Sequence, residues 1–318
     1  MKTIQIPGVE FPVSQFCLGC AYLGSRESEE LSFALMDCYY EHGGRFLNTA
    51  HEYSEGASER TVGKWMRERG VRTEMIVTSK GGEDRRVPGI RALHREDLLE
   101  DIDESLMRTG FDYFDFYLLH VDDVRVPVEE VVSTMEEMRK AGKIRYYGCS
   151  NWTAARQKEA AAFAAAHGLS GFRIDEVEMN LTRINRDNET DISKWLDEDY
   201  IAHHKTSGMA VGAYSPLASG VLTKLLRDGD TRAWRPGQIV WYDSPYNREV
   251  ARRVQSLSDE TGYTPSQLQL AYVLAQPHGF PNFAIVGASK ISQLVDNLAA
   301  LDVRLTGEMM EFLRPAGF

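Results

Sequence analysis

The sequence predicts an α/β protein of the (β/α)8 class, and three observations carry the prediction. Short apolar runs alternate with longer amphipathic runs from one end of the 318 residues to the other, the pattern of repeated βα units around a parallel sheet. Eight such pairs can be marked off, and no Gly-x-Gly-x-x-Gly turn follows the first strand, which argues against a doubly wound sheet. A chain of this length with 43% hydrophobic residues can bury a large core, and no low-complexity linker divides it, so residues 1–318 are expected to form a single domain.

The elements follow in order. Residues 1–13 precede the first barrel strand and are expected to form a hairpin closing the barrel bottom. Strands are predicted at 15–19, 45–50, 75–80, 113–120, 144–150, 174–180, 210–216 and 282–288, each short, rich in β-branched or aromatic residues and followed by a polar or glycine-containing loop. Helices are predicted at 29–42, 58–69, 95–109, 127–141, 153–167, 192–206, 265–275 and 291–301. Ser28 before Glu29-Glu30, Ser58 before Glu59, and Thr264-Pro265 read as helix starts, because a hydroxyl can accept from an unpaired first-turn N–H and proline suits the first helical position. Gly142 and Gly168 stand where helices end. The alanine-rich run at 153–167 reads as a close-packed barrel helix. Residues 219–247, with Trp234, Trp241, Tyr242 and Tyr246, do not read as regular structure and are expected to form a long loop, with the aromatics as loop anchors or as a lid or sugar platform.

Composition narrows the partners. With 47 acidic and 36 basic residues the net charge is −11, which disfavours nucleic acid and anionic membrane surfaces. Cys17, Cys20, Cys38 and Cys149 lack metal-ligand spacing, and the histidines form no ligand pattern with cysteine or carboxylate, so reduced thiols and no metal are expected. No apolar run of signal-peptide or membrane-spanning length occurs, and the expected location is cytoplasmic.

In a barrel of this kind, polar residues at the C-terminal strand ends face one cavity whatever their distance in sequence. That rule selects Asn48 and Tyr53, Lys80, His120, Ser150-Asn151, Glu176 and Tyr214-Ser215. A tyrosine, with an ordinary pKa near about 10, donates a proton at neutral pH more readily when a cation stabilises the phenolate left behind. Lys80 can be that cation, and a histidine at position 120 can orient a carbonyl oxygen toward Tyr53.

The fragments Asn48-Thr49-Ala50-x-x-Tyr53, Thr78-Ser79-Lys80, Tyr117-Leu118-Leu119-His120, Gly142-Lys143-Ile144-Arg145, Gly148-Cys149-Ser150-Asn151, Ala213-Tyr214-Ser215-Pro216-Leu217 and Val286-Gly287-Ala288-Ser289 occur in one order along the chain. In that order the sequence resembles an aldo-keto reductase over essentially its whole length. The resemblance implies a TIM barrel that binds a nicotinamide dinucleotide without a Rossmann domain and interconverts carbonyls and alcohols. It implies Tyr53 as general acid, Lys80 as its pKa modulator and His120 as the carbonyl-orienting group. It further implies Ser150 and Asn151 on the nicotinamide carboxamide, Tyr214 stacked on the ring, Ser215, Leu217 and Ser219 along the pyrophosphate, Gly287, Ser289, Lys290, Gln293 and Asn297 at the adenosine end, and Gly19 and Cys20 approaching through backbone.

NADP is the favoured cofactor on the strength of Ser289 and Lys290. NAD is the alternative, because Gln293 stands where many NADP-dependent relatives carry arginine. Tyr22, His51 and Trp152 are candidates for the substrate mouth. For His51 the competing reading is a solvated loop residue, for Trp152 a packing residue, and for Cys20 and Cys149 neutral packing thiols. A small-molecule substrate is expected, and the oligomeric state is left open.

Two positions depart from the family pattern. Asn48 occupies the place of an aspartate that pairs with the lysine, removing an attraction of up to about 4 kcal/mol at 4 Å and an effective dielectric near 20. Retuned activity is expected. Glu176 stands where a glutamine usually meets the nicotinamide, so a new carboxylate is expected beside the ring, favouring the oxidised cofactor. A weakly active or non-catalytic cofactor-binding regulatory subunit is the competing function, and retention of Tyr53, Lys80 and His120 together argues against it.

Overall fold

A computed structural model describes residues 1–83, 92–185, 197–232, 234–275 and 277–315. Two short strands, β1 (Thr3–Ile4) and β2 (Val13–Ser14), pair antiparallel, and β2 runs almost directly into the barrel. The barrel strands are β3 (Phe16–Gly19), β4 (Phe46–Asn48), β5 (Ile76–Gly81), β6 (Phe114–Leu119), β7 (Ile144–Ser150), β8 (Ile174–Glu178), β9 (Ala210–Tyr214) and β10 (Asn282–Val286). Each pairs in parallel with the next, and β10 returns to β3, closing an eight-stranded (β/α)8 TIM barrel.

The helices are α1 (Glu29–Glu41), α2 (Ala57–Arg69), α3 (Arg95–Thr109), α4 (Val128–Lys140), α5 (Ala154–Ala166), α6 (Glu198–Ser207), α7 (Val221–Asp228), α8 (Pro236–Tyr242), α9 (Pro245–Thr261), α10 (Pro265–Leu274), α11 (Ile291–Ala299) and α12 (Gly307–Phe312). Ser28 and Thr264 cap α1 and α10 through their hydroxyls as expected, and Gly142 and Gly168 take positive φ just past α4 and α5. Among the described residues no helix is long and apolar enough to cross a membrane.

Side-chain alternation along the strands divides the barrel interior into two layers. At the N-terminal ends, Cys17, Phe46, Phe116, Leu118, Ile174, Ala210 and Phe283 form one apolar cluster with Ile6, Val9 and Val13 of the hairpin region, and the Phe46 and Phe283 rings lie 5.0 Å apart. The hairpin therefore closes the barrel floor. Two residues further along the same faces stand Gly19, Asn48, His120 and Glu176, so the step from floor to site is one repeat of the strand pleat.

Three local expectations are corrected. The 219–247 segment is not an irregular loop: it holds α7, α8 and the start of α9. Helices of 8 and 7 residues show too few turns for a periodic signal, and glycines in the left-handed conformation flank α7 on both sides. Ser58 is not a cap, because α2 begins one residue earlier after Gly56; its buried hydroxyl instead donates to the Cys20 carbonyl at 2.7 Å. The helix expected at 192–206 begins at Glu198 behind the Asp197 cap, and positions 192–196 lie outside the described residues.

Candidate active site

Four side chains from three strands and one loop meet at the C-terminal end of the barrel. Lys80, 1% exposed, directs Nζ to Asn48 Oδ1 at 2.7 Å, to the Thr49 carbonyl at 3.0 Å, to Glu176 Oε2 at 3.2 Å and to Tyr53 Oη at 3.4 Å. Asn48 Nδ2 donates to Glu176 Oε1 at 2.6 Å. The Asn48 amide is thus oriented by charge on both sides, its oxygen toward the ammonium and its nitrogen toward the carboxylate. The lysine expected to lack a countercharge therefore has one, supplied by Glu176, the same carboxylate expected beside the nicotinamide. Side chains from opposite walls meet in the barrel lumen here, which the linear sequence does not reveal.

Burial opposes the charge on Lys80, but Glu176, with Tyr53 beside it, holds the ammonium pKa above its ordinary value. Burial also raises the Tyr53 phenol, Lys80 pulls it down and Glu176 pushes it up. The His120 ring stands edge-on to Tyr53 with centroids 5.5 Å apart, and its Nδ1 lies 2.9 Å from Glu83 Oε2.

A second set of contacts aligns the adjoining wall. Ser150 Oγ donates to the Glu176 carbonyl at 2.9 Å, Asn151 Nδ2 donates to the His120 carbonyl at 3.2 Å, and Asn151 Oδ1 accepts from Tyr214 Oη at 2.9 Å. Asn151 does this with φ at 61°. Ser54, Glu55, Ser215, Ala218 and Ser219 also take positive φ, so every such non-glycine among the described residues lies on a loop after β4, β7 or β9. Left-handed backbone disfavours L side chains, and its confinement to these loops marks the face where conformation serves something other than stability.

Asn48, Tyr53, Lys80, His120, Ser150, Asn151, Glu176 and Tyr214 line one end of a cavity of about 810 Å³. From there it runs past Ser215, Leu217 and Ser219 to Gly287, Ser289, Gln293 and Asn297, with Gly19 and Cys20 along one side. A Cβ on Gly19 would come within 3.3 Å of Ile285 Cγ2 and 3.4 Å of the Gly287 nitrogen, crowding β10 and the residue after it. The model of the aldo/keto reductase family matches residues 15–315.

The chain belongs to the aldo/keto reductase family. A putative voltage-gated potassium channel subunit beta of Schizosaccharomyces pombe is 31% identical over 278 residues, covering 83% of this chain and 78% of that protein. An NADP(+) aryl-alcohol dehydrogenase of Phanerodontia chrysosporium is 28% identical over 338 residues, covering 96% of this chain and 83% of that protein. Among solved structures, a thermostable aldo-keto reductase in complex with the inhibitor epalrestat shares the fold with a TM-score of 0.75 at 25% identity, over 98% of each chain.

Within this aldo/keto reductase the remaining candidates separate. Tyr22, 47% exposed, stands at the cavity mouth with Arg26 over its ring at 4.0 Å. His51 is neither solvated nor at the mouth: it is 0% exposed, with Nε2 3.0 Å from Glu104 and Nδ1 3.3 Å from Asp101 and 3.4 Å from Glu52. Trp152 is buried and outside the cavity lining, edge-on to Phe172 with ring centroids 5.4 Å apart. Lys290, at the N-cap position of α11, is exposed and does not line the cavity. Trp234, Tyr242 and Tyr246 are buried anchors, with Tyr242 Oη donating to Glu178. The four cysteines are free and buried, and burial pushes the Cys20 thiol up to about 12.

Sequence reasoning missed Glu83, Lys224 and Arg235, all of which line the cavity. Glu83 follows two glycines after Lys80, a signal of backbone reach that could have been read. Lys224 and Arg235 belong to the segment expected to be irregular, and only α7 and the start of α8 aim them at the cavity.

Proposed function

We propose that this aldo/keto reductase is an NADP-preferring oxidoreductase that interconverts a carbonyl and its alcohol, with Tyr53 as general acid and base and residues 1–318 acting as one unit. The observation that carries the reading is the position of Tyr53 Oη 3.4 Å from the buried Lys80 ammonium and beside the His120 ring, in the lining of a cavity of about 810 Å³. The residues present fit such a cofactor. Gly19 lines the cavity without a side chain, Tyr214 and the Ser150-Asn151 pair offer a ring face and amide-binding groups, and Lys224 and Arg235 supply cations for phosphates. The likeness to the NADP(+) aryl-alcohol dehydrogenase of Phanerodontia chrysosporium supports the same choice.

A nicotinamide dinucleotide held there supplies a hydride to the carbonyl carbon, or takes one from the alcohol. In reduction, the Tyr53 O–H bond breaks as its proton passes to the carbonyl oxygen, leaving a tyrosinate that Lys80 stabilises until solvent reprotonates it. His120 orients the oxygen toward Tyr53, and in oxidation Tyr53 takes the proton back. The likeness to a putative potassium channel beta subunit is compatible with a second reading, a cofactor-binding regulatory role without turnover. Retention of Tyr53, Lys80 and His120 in mutual reach supports catalysis instead.

Titrating NADPH and NADH by fluorescence, and following NADPH consumption with aldehydes, ketones and sugars and NADP reduction with alcohols, tests the proposal. Turnover with NADPH preferred is the expected outcome. Tight binding without turnover in either direction would establish the regulatory reading.

A further inference from the structure

We propose that the countercharge of the site lysine is carried across the barrel by Glu176, with Asn48 as a neutral bridge, so that positions 48 and 176 form one exchangeable charge unit and Glu176 is a positioning residue for Lys80. The inference rests on the carbonyl–alcohol reading for its catalytic consequence, and on geometry alone for the charge unit. Lys80 and Glu176 are 1% and 2% exposed and 3.2 Å apart, and among the described residues no other carboxylate stands within ion-pair distance of Lys80 Nζ. β8, which carries Glu176, is four strands from β4 in either direction round the ring, so the carboxylate approaches Asn48 from the opposite wall. Asn48 spans the remaining space with one hydrogen bond to each partner.

The arrangement has a specific consequence. A carboxylate at 176 keeps Lys80 charged, and a charged Lys80 stabilises the phenolate that Tyr53 becomes after proton donation. The carboxylate belongs to the pair of positions, because Asn48 and Glu176 already share a 2.6 Å hydrogen bond. Asn48→Asp alone places a second carboxylate against Glu176. Glu176→Gln alone leaves the buried ammonium with only neutral oxygens. The two together move the carboxylate by one hydrogen bond and keep the net charge.

The test compares the wild type, both single variants and Asn48→Asp/Glu176→Gln, using NADPH and an aromatic aldehyde. Each single variant is expected to lose about tenfold or more in kcat/KM, and the double variant to recover to within about threefold of wild type. Glu176→Gln is expected to move the alkaline limb of the kcat/KM profile about one pH unit toward acid, because both Lys80 and Tyr53 lose the group that raises them. A double variant as slow as the slower single one, or an alkaline limb unmoved in Glu176→Gln, would overturn the proposal. Urea unfolding of the same four proteins separates this from failure of the functional reading. If the wild type turns over no substrate, midpoints lowered in both single variants and recovered in the double still establish the charge unit, and additive losses refute it.

Discussion

Residues 48 to 53 send side chains into two buried polar networks that differ in where they open. The inner one joins Asn48, Lys80, Glu176 and Tyr53 and ends on the cavity at the Tyr53 hydroxyl. The outer one surrounds His51 with Glu52, Asp101 and Glu104, and continues through Arg108, which reaches Glu104 at 2.8 Å, Glu59 at 3.1 Å and the His51 carbonyl at 2.9 Å. Both contain a buried cation paired with carboxylate, one in the inner network and several in the outer, yet the outer network lies against α2 and α3 and lines no part of the cavity. Buried charge alone therefore does not mark the reactive site. What distinguishes the inner network is a titratable group with one side held by a cation and the other facing open space.

That contrast can be broken by substitution. The largest effect is expected from Tyr53→Phe, which removes the transferable proton from the inner network: turnover should fall by about 10²- to 10⁴-fold with NADPH affinity nearly unchanged, as steady-state kinetics and cofactor titration would show. Retained turnover would remove the inner network's claim to chemistry. In the outer network, Arg108→Ala leaves Glu59 buried without its cation, and a loss of about 3–5 kcal/mol is expected in urea unfolding, with kcat per folded molecule preserved.

Smaller effects sharpen the comparison. Lys224→Ala should weaken NADPH binding about tenfold, the loss of one charge-assisted phosphate contact, while leaving Tm close to wild type. The smallest effect is pH dependence in the outer network. Burial lowers the His51 pKa, but Glu52, Asp101 and Glu104 outweigh it and raise the group above 6.5. A raised histidine contributes stability that is fully present below its unfolded pKa and is lost as pH rises through the folded value. The stability gap between wild type and His51→Gln should therefore narrow as pH is raised from about 6 to 9. A gap that widens over that range would mean the ring is neutral in the fold.

The two networks were not equally legible. Lys80 and His120 could be read because each stands at or next to the end of a strand, and Tyr53 because it follows the end of β4 by a short loop; strand ends follow from local alternation of apolar and polar residues. His51 was misread because a histidine two residues before the site tyrosine looks like loop, and only the packing of α3 brings Asp101, Glu104 and Arg108 around it. Lys224 and Arg235 were missed for a different reason: α7 and α8 are too short to show helical periodicity, so their side chains had no predicted direction. The charge of Lys290 and its nearness to Ser289 point to the cavity in the sequence, but in the fold it stands exposed at the N-cap of α11, outside the cavity lining.

By itself the sequence determined the number and order of the barrel strands, the family, and the interior strand faces, because pleat and helical period are properties of neighbouring residues. It also showed that position 48 lacks a carboxylate and position 176 has one. Only the tertiary structure joined those two facts. Whether side chains on opposite walls touch depends on closure of the ring and on how far each reaches into the lumen, and Glu176 meets both Lys80 and Asn48 there.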